Sequence, residues 1–145
     1  MITVRSFIPE DTDKIAELER ICFSRPWSGE EICRTALSEH TVYLTALFDS
    51  EIAGYAGAYA VADVAEINNI AVFPGFRRSG VASALIDGLI KVCKKRGVTK
   101  LSLDVRASNT AALKLYEKHG FYRVGIRRGY YAAPTEDAVL LDKDI

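Results

Sequence analysis

Stretches in which apolar and polar residues alternate give way along this chain to stretches in which apolar residues return every third or fourth position. Residues 2–7 alternate and predict a short strand. Pro9-Glu10-Asp11-Thr12 opens a helix whose apolar positions Ile15, Leu18, Ile21 and Cys22 fall at helical spacing, and Arg25-Pro26-Trp27 breaks it. Ser28 stands three residues before Glu31, the spacing of a capping box, and predicts a second helix ending near Leu37. Thr41–Phe48 is β-branched and aromatic. Asp49-Ser50-Glu51 turns the chain, and Ile52–Val61 returns, so the pair reads as a hairpin. A strand over 64–72 follows. Gly80–Arg96 carries Val81, Leu85, Leu89 and Val92 at helical spacing, and Gly97 stops it. Lys100–Val105 alternates as a strand. Asn109 caps a helix of about ten residues that ends at Gly120. Phe121–Arg127 and Glu136–Leu141 are the last strands.

The predicted order is β-α-α-β-β-β-α-β-α-β-β, with no repeat, linker or low-complexity tract. The hairpin requires antiparallel pairing, while the two αβ units imply some parallel pairing. The expected fold class is therefore α/β (α+β): a mixed, mostly antiparallel sheet flanked by helices, as one domain over residues 1–145.

Composition narrows the function. Apolar residues make up 49% of the chain, which excludes a disordered segment. The 19 basic and 19 acidic residues cancel, so no direct contact with nucleic acid is expected. The three cysteines, Cys22, Cys33 and Cys93, lack CxxC spacing and read as small buried apolar residues in a reducing compartment. Only two histidines are present, neither at ligand spacing from a cysteine, so no metal is expected. His40 and His119 read as structural, His119 near a helix C-terminus where positive charge is favoured. The N-terminus has no charged-then-apolar leader, and no apolar run reaches membrane-spanning length; a cytoplasmic protein without membrane contact is expected.

The richest chemistry lies in Asn69-Ile70-Ala71-Val72-Phe73-Pro74-Gly75-Phe76-Arg77-Arg78-Ser79-Gly80-Val81-Ala82-Ser83-Ala84-Leu85. An apolar strand runs through a turn into a basic, glycine-containing loop that opens a helix. Backbone N–H groups and the helix dipole at such a place favour a pyrophosphate. Gly80 lets phosphate oxygens approach the backbone, and Arg77 and Arg78 supply countercharge. No Gly-Lys-Ser/Thr ending is present, so this is no P-loop. No GxGxxG is present either. The competing reading is a basic βα turn facing solvent.

Arg-x-x-Gly-x-Ala, from Arg77 to Ala82, resembles the acyl-CoA pyrophosphate loop of the GNAT N-acetyltransferase superfamily, and the element order resembles that fold over the whole chain. Phe23-Ser24-Arg25-Pro26-Trp27-Ser28, Leu103-Asp104-Val105-Arg106-Ala107-Ser108-Asn109, Ala112-Leu113-Lys114-Leu115-Tyr116-Glu117-Lys118-His119-Gly120-Phe121 and Arg127-Arg128-Gly129-Tyr130-Tyr131 resemble the RimI-type ribosomal-protein-alanine N-acetyltransferases. The resemblance implies an enzyme that transfers acetyl from acetyl-CoA to the N-terminal alanine of a ribosomal protein, directly within a ternary complex. Ile70, Ala71 and Val72 would pair with the pantetheine arm. Arg78, Ser79, Gly80, Val81, Ala82 and Ser83 would cradle the pyrophosphate. Asn109 would contact acyl-CoA, and Tyr116 would protonate the leaving thiolate.

The chain departs from the family in two places. The proton-accepting glutamate is here Asp104, one methylene shorter, and Gly129 stands where an asparagine often precedes the Tyr-Tyr pair. Glu66, at the start of the cofactor strand, is the competing base, because in relatives an acid on that strand accepts the proton through water. Asp104 could instead cap a turn or pair with Arg106, and Tyr116 could simply pack in the core. Tyr130 and Tyr131 offer flat surface and hydroxyls to a peptide end, or merely close a hairpin. Trp27 is a lid over the peptide or a core residue. The rival functions are acetylation of lysine side chains or small amines, and a non-catalytic acyl-CoA sensor.

Overall fold

Both halves of the predicted capping box form in the computed structural model, which describes residues 1–145. The Ser28 hydroxyl accepts from the Glu31 N–H, and the Glu31 carboxylate accepts from the Ser28 N–H. They start helix α2 (Gly29–Ala36). Ahead of it lie strand β1 (Ile2–Ser6), a 3-10 turn at Pro9–Asp11 and helix α1 (Thr12–Cys22). The expected helix start at Pro9 is thus a tighter turn first, with Pro9 at its opening position. Strands β2 (Thr41–Phe48), β3 (Glu51–Val61) and β4 (Val64–Val72) follow in hairpin succession. Helix α3 spans Val81–Lys95, β5 Lys100–Arg106 and α4 Thr110–Lys118. The last strands, β6 (Tyr122–Tyr131) and β7 (Glu136–Asp144), run longer than the sequence pattern suggests.

All seven strands join one sheet in the order β1-β2-β3-β4-β5-β7-β6. Only β4 and β5 pair in parallel. The second αβ unit, β5-α4-β6, gives no parallel contact, because β7 inserts between its strands and pairs antiparallel with both. No helix is long and apolar enough to cross a membrane.

Two cores lie on opposite faces of the sheet. On one face α3 buries Val81, Leu85, Ile86, Leu89 and Cys93 against Leu44, Ala56, Leu101, Leu103 and Leu141, with Tyr116 and Leu113 of α4 alongside. Each such aliphatic side chain, fully buried, contributes about 1.5–3 kcal/mol. On the other face α1 and α2 set Ile15, Leu18 and Ile32 against Phe7, Tyr43, Tyr55 and Ala71. Of the three cysteines only Cys93 is buried; Cys22 and Cys33 are half-exposed at the edge of this smaller core, a correction to the expectation that all three fill the interior.

Candidate active site

The parallel ladder of β4 and β5 pairs Val64 with Lys100, Ala65 with Leu101 and Glu66 with Ser102, then ends. Past that point β4 holds one extra residue, Asn68, between its pairings with Gly57 and Ala58 of β3. A bulge bends and twists a strand. Meanwhile β5 runs on along β7 to the Arg106–Ala138 pair. The two strands part, and Ile70, Ala71 and Val72 keep a main-chain edge with no strand on that side.

A cavity of about 310 Å³ opens there, lined by Ile70, Ala71, Val72, Arg77, Ala82 and Tyr116, with Cys22, Phe23, Ala112 and Leu115. The first six are residues singled out from sequence, gathered from β4, the loop, α3 and α4. The other four were missed. Ala112 and Leu115 follow from the helical period through Tyr116, whereas Cys22 and Phe23 arrive by a long-range packing of α1 that carries no local signal.

At the cavity's outer end the chain enters α3 through two left-handed residues, Arg78 (φ 62°) and Gly80 (φ 89°). No backbone N–H from Arg78 to Ser83 bonds another protein group. Alternating backbone hands of this kind turn consecutive N–H groups into an anion-binding concavity at a helix start. Ser79 donates its hydroxyl to the Phe76 carbonyl, which holds the turn. Ser83 meets His119 Nε2 at 3.1 Å, tying the first turn of α3 to the end of α4. Arg78 is exposed. Arg77 bends back, with Nε 3.3 Å from the Val72 carbonyl and a terminal nitrogen 3.6 Å from Cys22 Sγ. The Asn109 amide oxygen caps α4 by accepting from the Ala112 N–H at 3.1 Å.

Tyr116 belongs to the larger core and touches Phe121 edge-on at 5.4 Å. Burial, with Tyr131 nearby, pushes its pKa up to about 12, so the phenol keeps its proton at neutral pH. Asp104 sits on the opposite face of β5, between the core residues Leu103 and Val105. Neither alternative for it is found. Arg106 pairs with Glu136 at 3.3 Å, and Asn109 supplies the cap itself. Glu66 is exposed and opposes Ser102, one side-chain repeat before Asp104, so both carboxylates share a face at roughly 7 Å of strand length.

The β6–β7 end closes over the same face. Arg106 donates to the Pro134 and Ala132 carbonyls at 3.1 Å and lies 4.5 Å over the Tyr131 ring. Glu136 accepts the Ser108 N–H; the Ser108 side chain first, then that N–H, with Arg106 beside them, lowers its pKa. Tyr131 packs edge-on with Tyr130 at 5.1 Å, and Arg127 covers Tyr130 at 5.2 Å. Burial first, then the Asp104 charge, raises the Tyr131 pKa. Gly129 (φ 61°) donates its N–H to Asp137 at 2.8 Å, a turn that glycine adopts readily.

Across the gap, Trp27 is half-buried against the smaller core, and its N–H donates to Glu19 at 2.9 Å. Glu19 is 2% exposed and also accepts the Tyr55 hydroxyl. Burial and the Glu19 contact raise the Tyr55 pKa far above the ordinary phenol range. Tyr43 stacks on Tyr55 at 6.2 Å, and its own buried hydroxyl has no partner.

Comparison with known proteins agrees with this architecture. The acetyltransferase (GNAT) family model matches residues 12–121. The ribosomal protein bS18-alanine N-acetyltransferase of Escherichia coli (strain K12) is 36% identical over 143 residues, covering 97% of this chain and 96% of that protein. The enzyme of the same name from Salmonella typhimurium is 37% identical over 143 residues, with the same shares covered. The crystal structure of the Escherichia coli ribosomal-protein-S18-alanine N-acetyltransferase superposes with a TM-score of 0.91 at 35% identity, covering 100% of this chain and 94% of that one. A parted β4–β5 pair, an open N–H loop at the start of α3 and a family match running from α1 to Phe121 lead to one assignment: the chain belongs to the GNAT acetyltransferase family.

Proposed function

We propose that this protein transfers acetyl from acetyl-CoA to the N-terminal alanine of a ribosomal protein in the cytoplasm. The observation that carries this reading is the placement of a protonated phenol and a carboxylate on opposite faces of the sheet, on the two sides of the β4–β5 gap. The cavity fits the thioester arm: the Ile70–Val72 edge offers main-chain groups, and the Arg78–Ser83 N–H groups suit a pyrophosphate. Arg77, Arg78, Ser79, Gly80, Val81, Ala82, Ser83 and Asn109 form the cofactor end of this reading. Trp27, Tyr130 and Tyr131 form the peptide end. The close likeness to enzymes named for ribosomal protein bS18 supports the substrate class.

In this mechanism the neutral amine attacks the thioester carbonyl from the Asp104 face, forming the C–N bond. The C–S bond breaks, and the thiolate takes the Tyr116 proton. The proton lost from nitrogen goes to Asp104, or to Glu66 through water. An N-terminal amine titrates near 7.7–8.0 against about 10.4 for lysine, so roughly a tenth is already neutral at pH 7. A short carboxylate then suffices as base. No cysteine lies in a nucleophile motif, so transfer is direct.

Thiol release from acetyl-CoA, measured with peptides that differ only in their first residue, tests the proposal. Turnover with alanine first, and none with a blocked N-terminus carrying lysine, is expected. Preference for the lysine side chain or for a free polyamine overturns it. Binding of acetyl-CoA without turnover on any amine leaves a sensor.

A further inference from the structure

Glu19 is a fully buried carboxylate for which the mechanism above has no use. Burying such a group is costly unless it is hydrogen-bonded. Here both oxygens are engaged, and their partners lie on different structural units. Oε1 accepts the main-chain N–H of Trp27, in the segment that joins α1 to α2. Oε2 accepts the hydroxyl of Tyr55, on the central strand β3. On the β3–β4 ladder Tyr55 stands opposite Ala71, two residues past Asn69 and the Asn68 bulge where β4 turns away from β5. The chain Trp27–Glu19–Tyr55 therefore crosses from the α1–α2 segment to the strand that carries the acetyl slot's edge on its far side.

The start of that segment, Cys22 and Phe23, forms one wall of the cavity, and Trp27 stands at its end. Few other polar bonds hold the segment. The Phe23 N–H continues the α1 helix onto the Glu19 carbonyl, and Ser28 belongs to the α2 cap. Between them the Trp27 N–H is fixed by Glu19 alone.

We propose that Glu19 is a positioning residue that tethers the peptide-side wall of the active site, through Trp27, to Tyr55 on β3. This rests on the proposed peptide-acetylating function for its kinetic consequence, but not for the tether itself. The Ile70–Val72 edge is held by the β3 ladder and the Arg78–Ser83 loop by the Ser79–Phe76 bond, so acetyl-CoA keeps its main-chain contacts when the tether is lost, and the loss acts on the peptide.

Trp27 is the only tryptophan, so intrinsic fluorescence reports on the tethered segment without any turnover. Glu19→Leu fills the site with an apolar side chain and removes both acceptors. Glu19→Gln keeps an amide oxygen for the Trp27 N–H and an amide N–H₂ for the Tyr55 oxygen. In the full-length protein, Glu19→Leu should raise the peptide KM about tenfold, the scale of one lost hydrogen bond to a charged group, with kcat held within about twofold. Acrylamide quenching of Trp27 should rise, and the melting shift given by acetyl-CoA should persist. Glu19→Gln should restore both KM and quenching to near wild type. If Glu19→Leu does not fold, Tyr55→Phe, which removes one anchor and keeps the ring, should give the same two changes in smaller degree. Unchanged quenching and KM in the folded variants overturn the tether. So does a fall in kcat with KM held, because that places Glu19 in the chemistry. Wild-type protein that acetylates no peptide refutes the function proposed above, while the quenching arm still decides the tether.

Discussion

Tyr116 and Asp104 stand on opposite faces of the sheet, Tyr116 of α4 in the larger core and Asp104 on the face where Arg106 lies over Tyr131. They can act on one reacting carbon only through the gap that opens after the Glu66–Ser102 pair. In the proposed mechanism the gap thus separates the proton given to sulfur from the proton that leaves nitrogen. A single group need not do both.

Tyr116→Phe should leave acetyl-CoA affinity and folding almost unchanged, because the ring and its edge contact with Phe121 remain. Turnover should fall by about a hundredfold, the lower end of the range for general acid catalysis. Steady-state kinetics with calorimetric binding of CoA separate the two effects. Turnover equal to wild type would leave Tyr116 a packing residue.

The base is tested by exchanging carboxylates. Asp104→Asn should flatten the acidic limb of the pH–rate profile if Asp104 takes the proton, with Glu66→Gln nearly silent. The two results exchange if Glu66 works through water. Asp104→Glu restores the residue of the resembling family, and a direct base predicts equal or higher kcat, since the longer side chain reaches further across the gap. If no carboxylate variant moves the profile, the amine arrives deprotonated and the site works by holding it against the thioester.

What the sequence displays is what local chemistry decides. Ser28 and Glu31 are three residues apart, so the α2 start is legible. Asn109 and Gly120 bracket α4 by cap chemistry, and Thr41–Phe48 announces itself by β-branched residues. The loop from Arg77 to Ala82 is legible because its strand, glycine and helix are contiguous. Glu19 and Tyr55 lie 36 residues apart, and Arg106 and Glu136 lie 30 apart. Nothing near either partner marks those contacts, since they depend on which strands become neighbours. The insertion of β7 between β5 and β6 is of the same kind: an antiparallel hairpin fills the place that the β5-α4-β6 order leaves open. Asp104 was therefore visible as a candidate base, whereas the Arg106–Glu136 clamp that frees it from Arg106 was not.

Gly80→Val should abolish acetyl-CoA binding while the protein still folds. A Cβ at Gly80 meets only Ile2 Cδ1, at 3.7 Å, so space is not the obstacle. The backbone is: φ of 89° resists a β-branched residue, and moving it out of the left-handed region would redirect the neighbouring N–H groups. Wild type at a hundred times the dissociation constant should gain roughly 2.7 kcal/mol from the ligand. The variant should show no melting shift with CoA. A full shift would mean that the loop geometry does not hold the pyrophosphate.

Acid stability should depend on Asp11, far from the gap. Its carboxylate is 2% exposed, bonded to Arg5 at 2.7 and 2.9 Å, to the Ile8 N–H at 3.0 Å and to the Thr45 hydroxyl at 2.8 Å. Burial alone would raise its pKa, but Arg5, Ile8 and Thr45 together outweigh it and hold the folded value below the ordinary carboxylate range. A lowered folded pKa means that the unfolded chain binds the proton more readily. The stabilisation is therefore complete above the unfolded value of about 3.9 and disappears as pH falls through the folded one. Arg5 is 37% exposed, so solvent screens part of the ion pair. Asp11→Asn should still cost about 1–3 kcal/mol at pH 7, the range for hydrogen bonds to a charged group lowered at its bottom end for that screening, and lower Tm by several degrees. Denaturant melts at pH 7 and at pH 3 check the sign: the gap between wild type and variant should shrink at the lower pH. A gap that stays constant would show that the Asp11 charge contributes nothing, leaving only the shape of the side chain in its pocket between Arg5 and Thr45.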